Sequence, residues 1–480
     1  MPASAVFLAS LLMLNSATAR DQPNTVIWRS SSLMARRHDD SNATKSAVAS
    51  LFTAAKKAML AGPFSVTDKV LAPPSGSKHD YWSVASYYWP CNVPCNHTLW
   101  PDCSRWCMPP LTYKDHKCVP ASAKENLTCN QQSGLPWVSH DGYPRDRDQT
   151  GRYLKGDRPR ADGITLDAST LALAWWFSPD DSPIGSQFVE RAALLLRTFF
   201  LNSDTKMDPN MNYAQGVPGR FDGGVGGTVD FGRLWMLLDA IRLIETQPSS
   251  ASPWQQADRD GFRVWLAAML DWWVYSADGQ QARKITNNIG NAYDIQAMSM
   301  ASFLHNATVA ADIVAHDVRG RVELQIAANG SMPKEDARSN SFGYHSGNLL
   351  QFINLAAAVN ASVRVMKAAG IPADPGAAAL LHYANSRGGS ILTALDWMAP
   401  YCKDNATSWP FPLTNNSGEG IVTYLPRCRL VYNWAALLFE STERGDEYRQ
   451  IADGSSTAAD GYAGLPGLST LDYTRLLYSE

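Results

Sequence analysis

Apolar residues recur at three- and four-residue steps along most of the chain from about residue 44 onward. That spacing keeps one face of an α-helix apolar. Segments such as SAVASLFTAAKKAML (46–60), DASTLALAWWF (167–177), FVERAALLLRTFF (188–200) and GRLWMLLDAIRLI (232–244) carry it. So do 262–275, 293–305, 348–369, 377–398 and 430–444. Strand-like alternation is scarce, the connecting loops are rich in Gly, Pro, Asn and Asp, and no internal repeat of fixed period stands out. Many paired helices without strands predict an all-α protein, an (α/α) toroid (an incomplete α/α barrel) or a similar helical array.

One segment breaks this texture. Between YYWP (87–90) and GLPWVSHDGYP (134–144), six of the eight cysteines crowd together: Cys91, Cys95, Cys103, Cys107, Cys118 and Cys129. Helical periodicity is low there, so a disulfide-rich loop insertion is expected at about 91–132, within one domain spanning 20–480. The spacing CNVPC…CSRWC also suits zinc, but an even count in an exported chain favours bridges. Pairing within the six is open, whereas Cys402 and Cys428 form the natural remaining pair.

The expectation of export rests on residues 1–19. An apolar run from Val6 to Leu14 is followed by Ala17-Thr18-Ala19, the small-x-small pattern a signal peptidase accepts. Asn-x-Ser/Thr sequons at Asn42, Asn96, Asn126, Asn306, Asn329, Asn360, Asn405 and Asn415 suggest a secreted eukaryotic glycoprotein. No later stretch is read as a membrane span. Across 480 residues the formal charge is -3, with 18% charged and 45% hydrophobic residues, which suggests neither nucleic-acid binding nor disorder. A monomer without a membrane partner is expected.

Across residues 65–425 the chain resembles the alginate-lyase domain of several polysaccharide lyase families, through five matches in the family's order. SVTDKVLAPPSGSKHDYWSVASYYWP (65–90) is similar to the family's proline-rich entry and aromatic motif. LDASTLALAWWF and RTFFLNSDTKMDPNMNYAQ look like the tract ending in M-N-P-N-x-N-Y-A-Q. ITNNIGNAYDIQ (285–296) corresponds to N-N-H-G, and GSMPKEDARSNSFGYHSGNL (330–349) to P-x-E-x-A-R-x-x-S-x-x-Y-x-x-x-N-L. SWPFP (408–412) fits a late W-P. The resemblance implies a toroid and a β-eliminative lyase acting on a polyuronate.

Breaking a 4-linked uronide by β-elimination removes the C5 proton, which requires that the C6 carboxylate be neutralised and the enolate-like charge stabilised. Such a site needs donors. Asn288, beside Gly290, can offer its amide to the carboxylate, and Arg338 can add a fixed positive charge. Tyr344, six residues after Arg338, is the candidate base and acid, since a nearby cation lowers a phenol's pKa from about 10. The alternative to that role is a Tyr at a helix start with its hydroxyl bonded to backbone.

Where the family has His after the second Asn, this chain has Ile289, which neither donates nor accepts a proton. In β-linked mannuronate and glucuronate the C5 proton and O4 share a face of the ring, so one tyrosine can serve both. In guluronate they lie on opposite faces and a second base is needed. Losing the His therefore points to syn elimination on β-1,4-glucuronan or mannuronate-rich alginate, with glucuronan favoured for a secreted eukaryotic protein. His345, also a candidate for substrate binding, could have moved into the vacancy, with a solvated or core-capping histidine the alternative.

Polyuronates are bound by cations and aromatic faces. Tyr81, Tyr87, Tyr88 and Trp89 are candidates for such a wall, with core packing the alternative for each. Asn212, Tyr213 and Gln215 are expected to face the cleft, whereas Arg220 and Arg233 are read as surface salt bridges, with carboxylate recognition the alternative. Asp222, Asp230, Asp294, Glu335 and Asp336 show no spacing that marks a catalytic pair, and capping or pairing with Arg338 accounts for them. No metal or other cofactor is expected, since no His/Asp/Glu cluster has ligand spacing. The rival readings are a toroidal glycoside hydrolase of acidic oligosaccharides and a non-catalytic polyuronate-binding homologue that has lost its His.

Overall fold

Capping side chains and buried apolar faces together define the helices. The structure, a computed structural model, describes residues 22–69, 72–85, 156–216, 221–338, 340–411, 425–439 and 442–454, together with the backbone of 88–90, 111–114, 117–120 and 137–139. Ser41 accepts the Thr44 N–H and starts a helix, Ser182 does the same through Gly185, and Ser390 with Thr393 forms a reciprocal capping box.

In chain order the helices begin with α1 (Ser30–Arg37), α2 (Asn42–Ala58), α3 (Arg158–Phe177), α4 (Pro183–Phe200), α5 (Leu234–Ile244) and α6 (Gln256–Tyr275). After these come α7 (Ala277–Lys284), α8 (Asn288–Phe303), α9 (Ala307–His316), α10 (Val318–Gln325), α11 (Pro333–Asp336) and α12 (Ser341–Ala368). The series ends with α13 (Pro375–Ala378), α14 (Ile391–Lys403), α15 (Pro426–Leu438) and α16 (Glu443–Gly454). Helix α3 packs against α2, α4 and α5; α8 against α5, α6, α7, α9 and α12; and α12 against α9, α14 and α15. Paired helices thus follow one another around a shared apolar interior, which makes the protein an all-α toroid.

Helices α8 and α12 are its inner staves. Every residue of α8 from Gly290 to Phe303 is buried, so this helix has no polar outer face. By length and composition α12 could cross a bilayer, contrary to the expectation that no such stretch exists, yet 61% of its most apolar window is buried inside the protein. Its apolar surface is covered by other helices.

Two further departures from the periodicity are local. The apolar spacing over 377–398 predicts one helix, but the chain makes only α13 and a 3₁₀ turn (Leu380–His382) before restarting at Ile391. Asn385 causes the break: its side chain donates to the Val322 and Ile326 carbonyls at 3.0 and 2.8 Å, and Gly388 follows at φ 90°. The second departure is a set of short two-stranded pairings. Strand β1 (Trp82–Val84) runs parallel to β6 (Tyr213–Gly216). Strands β2 (Tyr88–Pro90) and β5 (Trp137–Ser139) are antiparallel, as are β3 (Leu111–Lys114) and β4 (Lys117–Pro120).

Cys402 and Cys428 form the expected disulfide, with Cα atoms 5.6 Å apart, and tie α14 to α15. The cysteine side chains of the 91–132 segment lie outside the described residues, as do residues 1–19.

A buried carboxylate secures the N-terminal arm. Asp239, fully buried in α5, accepts the backbone N–H groups of Val26, Ile27 and Trp28 at 2.5, 2.9 and 2.9 Å. Burial pushes its carboxyl up to about 6 from 3.8, against the pull of those three donors. The folded chain therefore keeps this proton to higher pH than the unfolded chain, so the associated stability is complete below pH 3.8 and is lost as pH rises through about 6. Asp239→Asn should cost about 1–3 kcal/mol in denaturant unfolding at neutral pH. It should also flatten the decline in Tm between about pH 4 and about pH 6 relative to the parent.

Candidate active site

The turn before α8 is built by one guanidinium. Arg321, nearly buried in α10, makes a bidentate pair with Asp294 of α8 at 2.8 and 2.9 Å. Its remaining N–H groups reach the carbonyls of Ile285 at 2.6 Å and Arg283 at 2.8 Å. Burial works against the Arg321 charge, but Asp294 more than restores it. A side chain at Gly290 would place its Cβ 2.0 Å from the Ile285 oxygen and 2.4 Å from Arg321 Nη1. The glycine of NNIG is thus a requirement of close approach.

Asn287 caps α8 by accepting the Ile289 N–H at 3.0 Å, leaving Asn288 as the first helical residue. Asn288 does not stand free. Its backbone N–H reaches Glu335 Oε1 at 2.8 Å and its Nδ2 reaches Oε2 at 3.0 Å. Glu335, 1% exposed, lies in the one-turn helix α11. Burial raises its pKa, the two Asn288 donors and Arg338 lower it, and Asp336 adds a smaller upward push.

Three residues beyond Glu335, the Arg338 guanidinium lies over the Tyr344 ring, with Cζ 3.7 Å from the centroid. Tyr344 is half-buried in the first turn of α12, which Asn340 caps through the Gly343 N–H at 3.3 Å. Asn288, Glu335, Arg338 and Tyr344 thus form one connected set. The cation meets the face of the ring. Ile289 is partly buried and packed on the core.

A second polar group lies along β6. Gln215, in left-handed backbone at φ 49°, donates to Asp230 Oδ1 at 2.7 Å. Asp230 also accepts from Tyr81 at 3.2 Å, pairs with Arg158 at 3.2 Å and takes the Ser83 hydroxyl. The 3₁₀ turn Val225–Val229 packs on both β6 and α8 and so links this group to that helix. Asn212 is exposed and its Oδ1 accepts the Trp272 indole N–H at 2.6 Å, while Tyr213 is half-buried.

For two residues with open alternatives the structure favours the core, and the assignment of His345 to substrate binding is corrected. His345 is fully buried: Nδ1 meets Asp336 Oδ1 at 2.6 Å and the ring packs on Trp397 and Trp409, with centroids 4.6 and 5.5 Å away. It presents no surface to a sugar. Tyr81 is also fully buried, with its hydroxyl on Asp230, so it is core rather than cleft wall. Arg233 pairs with Asp162 at 3.4 Å. The side chains of Tyr88 and Trp89, and all of Tyr87 and Arg220, lie outside the described residues. The clamp by Glu335 was not foreseen; its one sequence signal is a Glu three residues before the Arg.

By family the chain is a polysaccharide lyase. The profile of the alginate lyase family matches residues 65–409, and the chain belongs to that family. Among solved structures, an alginate lyase from Bacteroides ovatus, crystallised and determined at 1.60 Å, is similar to it. The TM-score is 0.71 with 23% identity, over 95% of this chain and 99% of the other, a likeness of fold. None of the curated proteins matches the chain.

Removing Arg321 would strand Asp294 in the core and release the carbonyls that shape the Asn288 turn. Arg321→Met should therefore cost roughly 3–5 kcal/mol in chemical denaturation. Retention of parental stability would show that the pair is dispensable.

Proposed function

We propose that this lyase cleaves a 4-linked β-uronan, glucuronan or mannuronate-rich alginate, by syn elimination. The observation that carries this reading is the connected set of Asn288, Arg338 and Tyr344, with an aliphatic residue where the family has a second proton-transfer group. Asn288 and Arg338 receive the C6 carboxylate and neutralise it, which acidifies the C5 proton. Tyr344, as phenolate beside Arg338, takes that proton. The C5–H electron pair becomes the C4=C5 double bond, the C4–O4 bond breaks, and the new phenol gives its proton to O4 on the same face.

Asn212, Tyr213, Tyr88 and Trp89 are assigned to sugar binding. Gln215 is assigned with them, its free amide edge being limited by its bond to Asp230. The segment at residues 1–19 and the sequons support an exported glycoprotein with one catalytic domain over 20–480. Preference for glucuronan over mannuronan rests on export alone, since the two sugars differ at C2, away from the reaction.

Ultraviolet absorbance of the unsaturated product separates this reading from a hydrolase, which yields only new reducing ends, and from a binding protein, which yields neither. Product should form from glucuronan or polymannuronate and not from polyguluronate. Tyr344→Phe should lower kcat by ~100- to 10,000-fold. Rapid cleavage of polyguluronate by the parent would overturn the syn assignment.

A further inference from the structure

We infer that Glu335 is a positioning residue for elimination, fixing which edge of the Asn288 amide faces the substrate. This deepens the reading above and rests on Asn288 as the group that neutralises the uronate. A carboxylate only accepts hydrogen bonds, so an amide held against it must present Nδ2 and not Oδ1. Both Glu335 oxygens are taken by Asn288, one by the backbone N–H and one by the side chain, at 2.8 and 3.0 Å. The first bond anchors Glu335 to the start of α8 and the second orients the amide from that anchor. One Nδ2 hydrogen is then committed to Glu335, and the other is left as the donor for the C6 carboxylate.

Glu335 has a second, electrostatic effect. The first turn of α8 concentrates positive partial charge, and a buried carboxylate on its first N–H offsets that charge. Arg338 lies close enough to act on the same carboxylate. Glu335 therefore weakens ground-state attraction for an anionic sugar while it orients the donor that matters in the transition state. A group with those two effects should be visible as a split between KM and kcat.

Glu335→Gln keeps the shape, removes the charge and replaces one acceptor by a donor. With polymannuronate and glucuronan as probes, its kcat should fall about 10- to 100-fold, with KM unchanged or lower. In an Asn288→Ala background the same change should add less than about twofold. A residue that served packing alone would lower Tm and raise KM without that dependence on Asn288. If Glu335→Gln does not fold, Glu335→Asp tests the same point, because it keeps the charge and is too short to span both donors. It should lose kcat by a similar factor. Parental kcat in the folded variant, or an equally large loss with Asn288 already removed, overturns the inference. If Asn288→Ala itself keeps full activity, the assignment of Asn288 falls and this inference with it. If Asn288→Ala is crippled and the Glu335 variant is not, only the inference falls.

Discussion

The site depends on a buried ion pair between α10 and α8. Arg321 and Asp294 are both almost removed from water, where separating them would leave a stranded charge. Such a pair persists only when its remaining N–H groups are satisfied, and here they are taken by the carbonyls of Ile285 and Arg283. The same guanidinium therefore stitches α10 to α8 and draws in the chain just before α8 begins. With that turn fixed, Asn287 is left to cap the helix and Asn288 to begin it beside Glu335. A methyl group at Gly290 would collide with both the carbonyl and the guanidinium.

Beneath this end, Asn291, Gln325 and Asn348 hydrogen-bond one another at 2.8 to 3.4 Å, all essentially buried, and join α8, α10 and α12. Amides in a dry interior are favourable only in one mutual arrangement, since a rotated member would leave donors unpaired. Such a network sets the rotation of α8 relative to α12 more sharply than aliphatic packing can. Asn288 at the head of one helix and Tyr344 near the head of the other are thereby held in register. The buried Asp230 group does similar work for β1 and β6.

The helical texture, the toroid and the Cys402–Cys428 bridge were legible in the sequence because each rests on spacing or composition. What was not legible depends on contacts distant along the chain. His345, beside Tyr344, invited a role in proton transfer; its burial follows from Trp397 and Trp409, which only the fold brings to it. The break at Asn385 likewise depends on carbonyls of α10 and the residue after it, which no local pattern reveals. Glu335 was read as a cap or an ion-pair partner, and both descriptions apply: it accepts the first N–H of α8 and feels Arg338. What spacing did not reveal is that cap and pair coincide on the residue proposed to meet the substrate.

That coincidence bears on why an aliphatic residue is tolerated at 289. The polar end of α8 sets the Glu335 carboxylate against the Arg338 cation and the partial positive charge of the helix start, with Asp336 acting on the same carboxylate. A substrate carboxylate brings one further negative charge to that balance. An imidazole at 289, if protonated, would add positive charge, and if neutral would offer a second base. Neither is required when one phenol can reach both the proton and the leaving oxygen. Ile289 instead packs on the core and leaves the Asn287 cap intact. On the proposed reading, the absent imidazole restricts the stereochemistry available to the enzyme while leaving its means of neutralising the uronate in place.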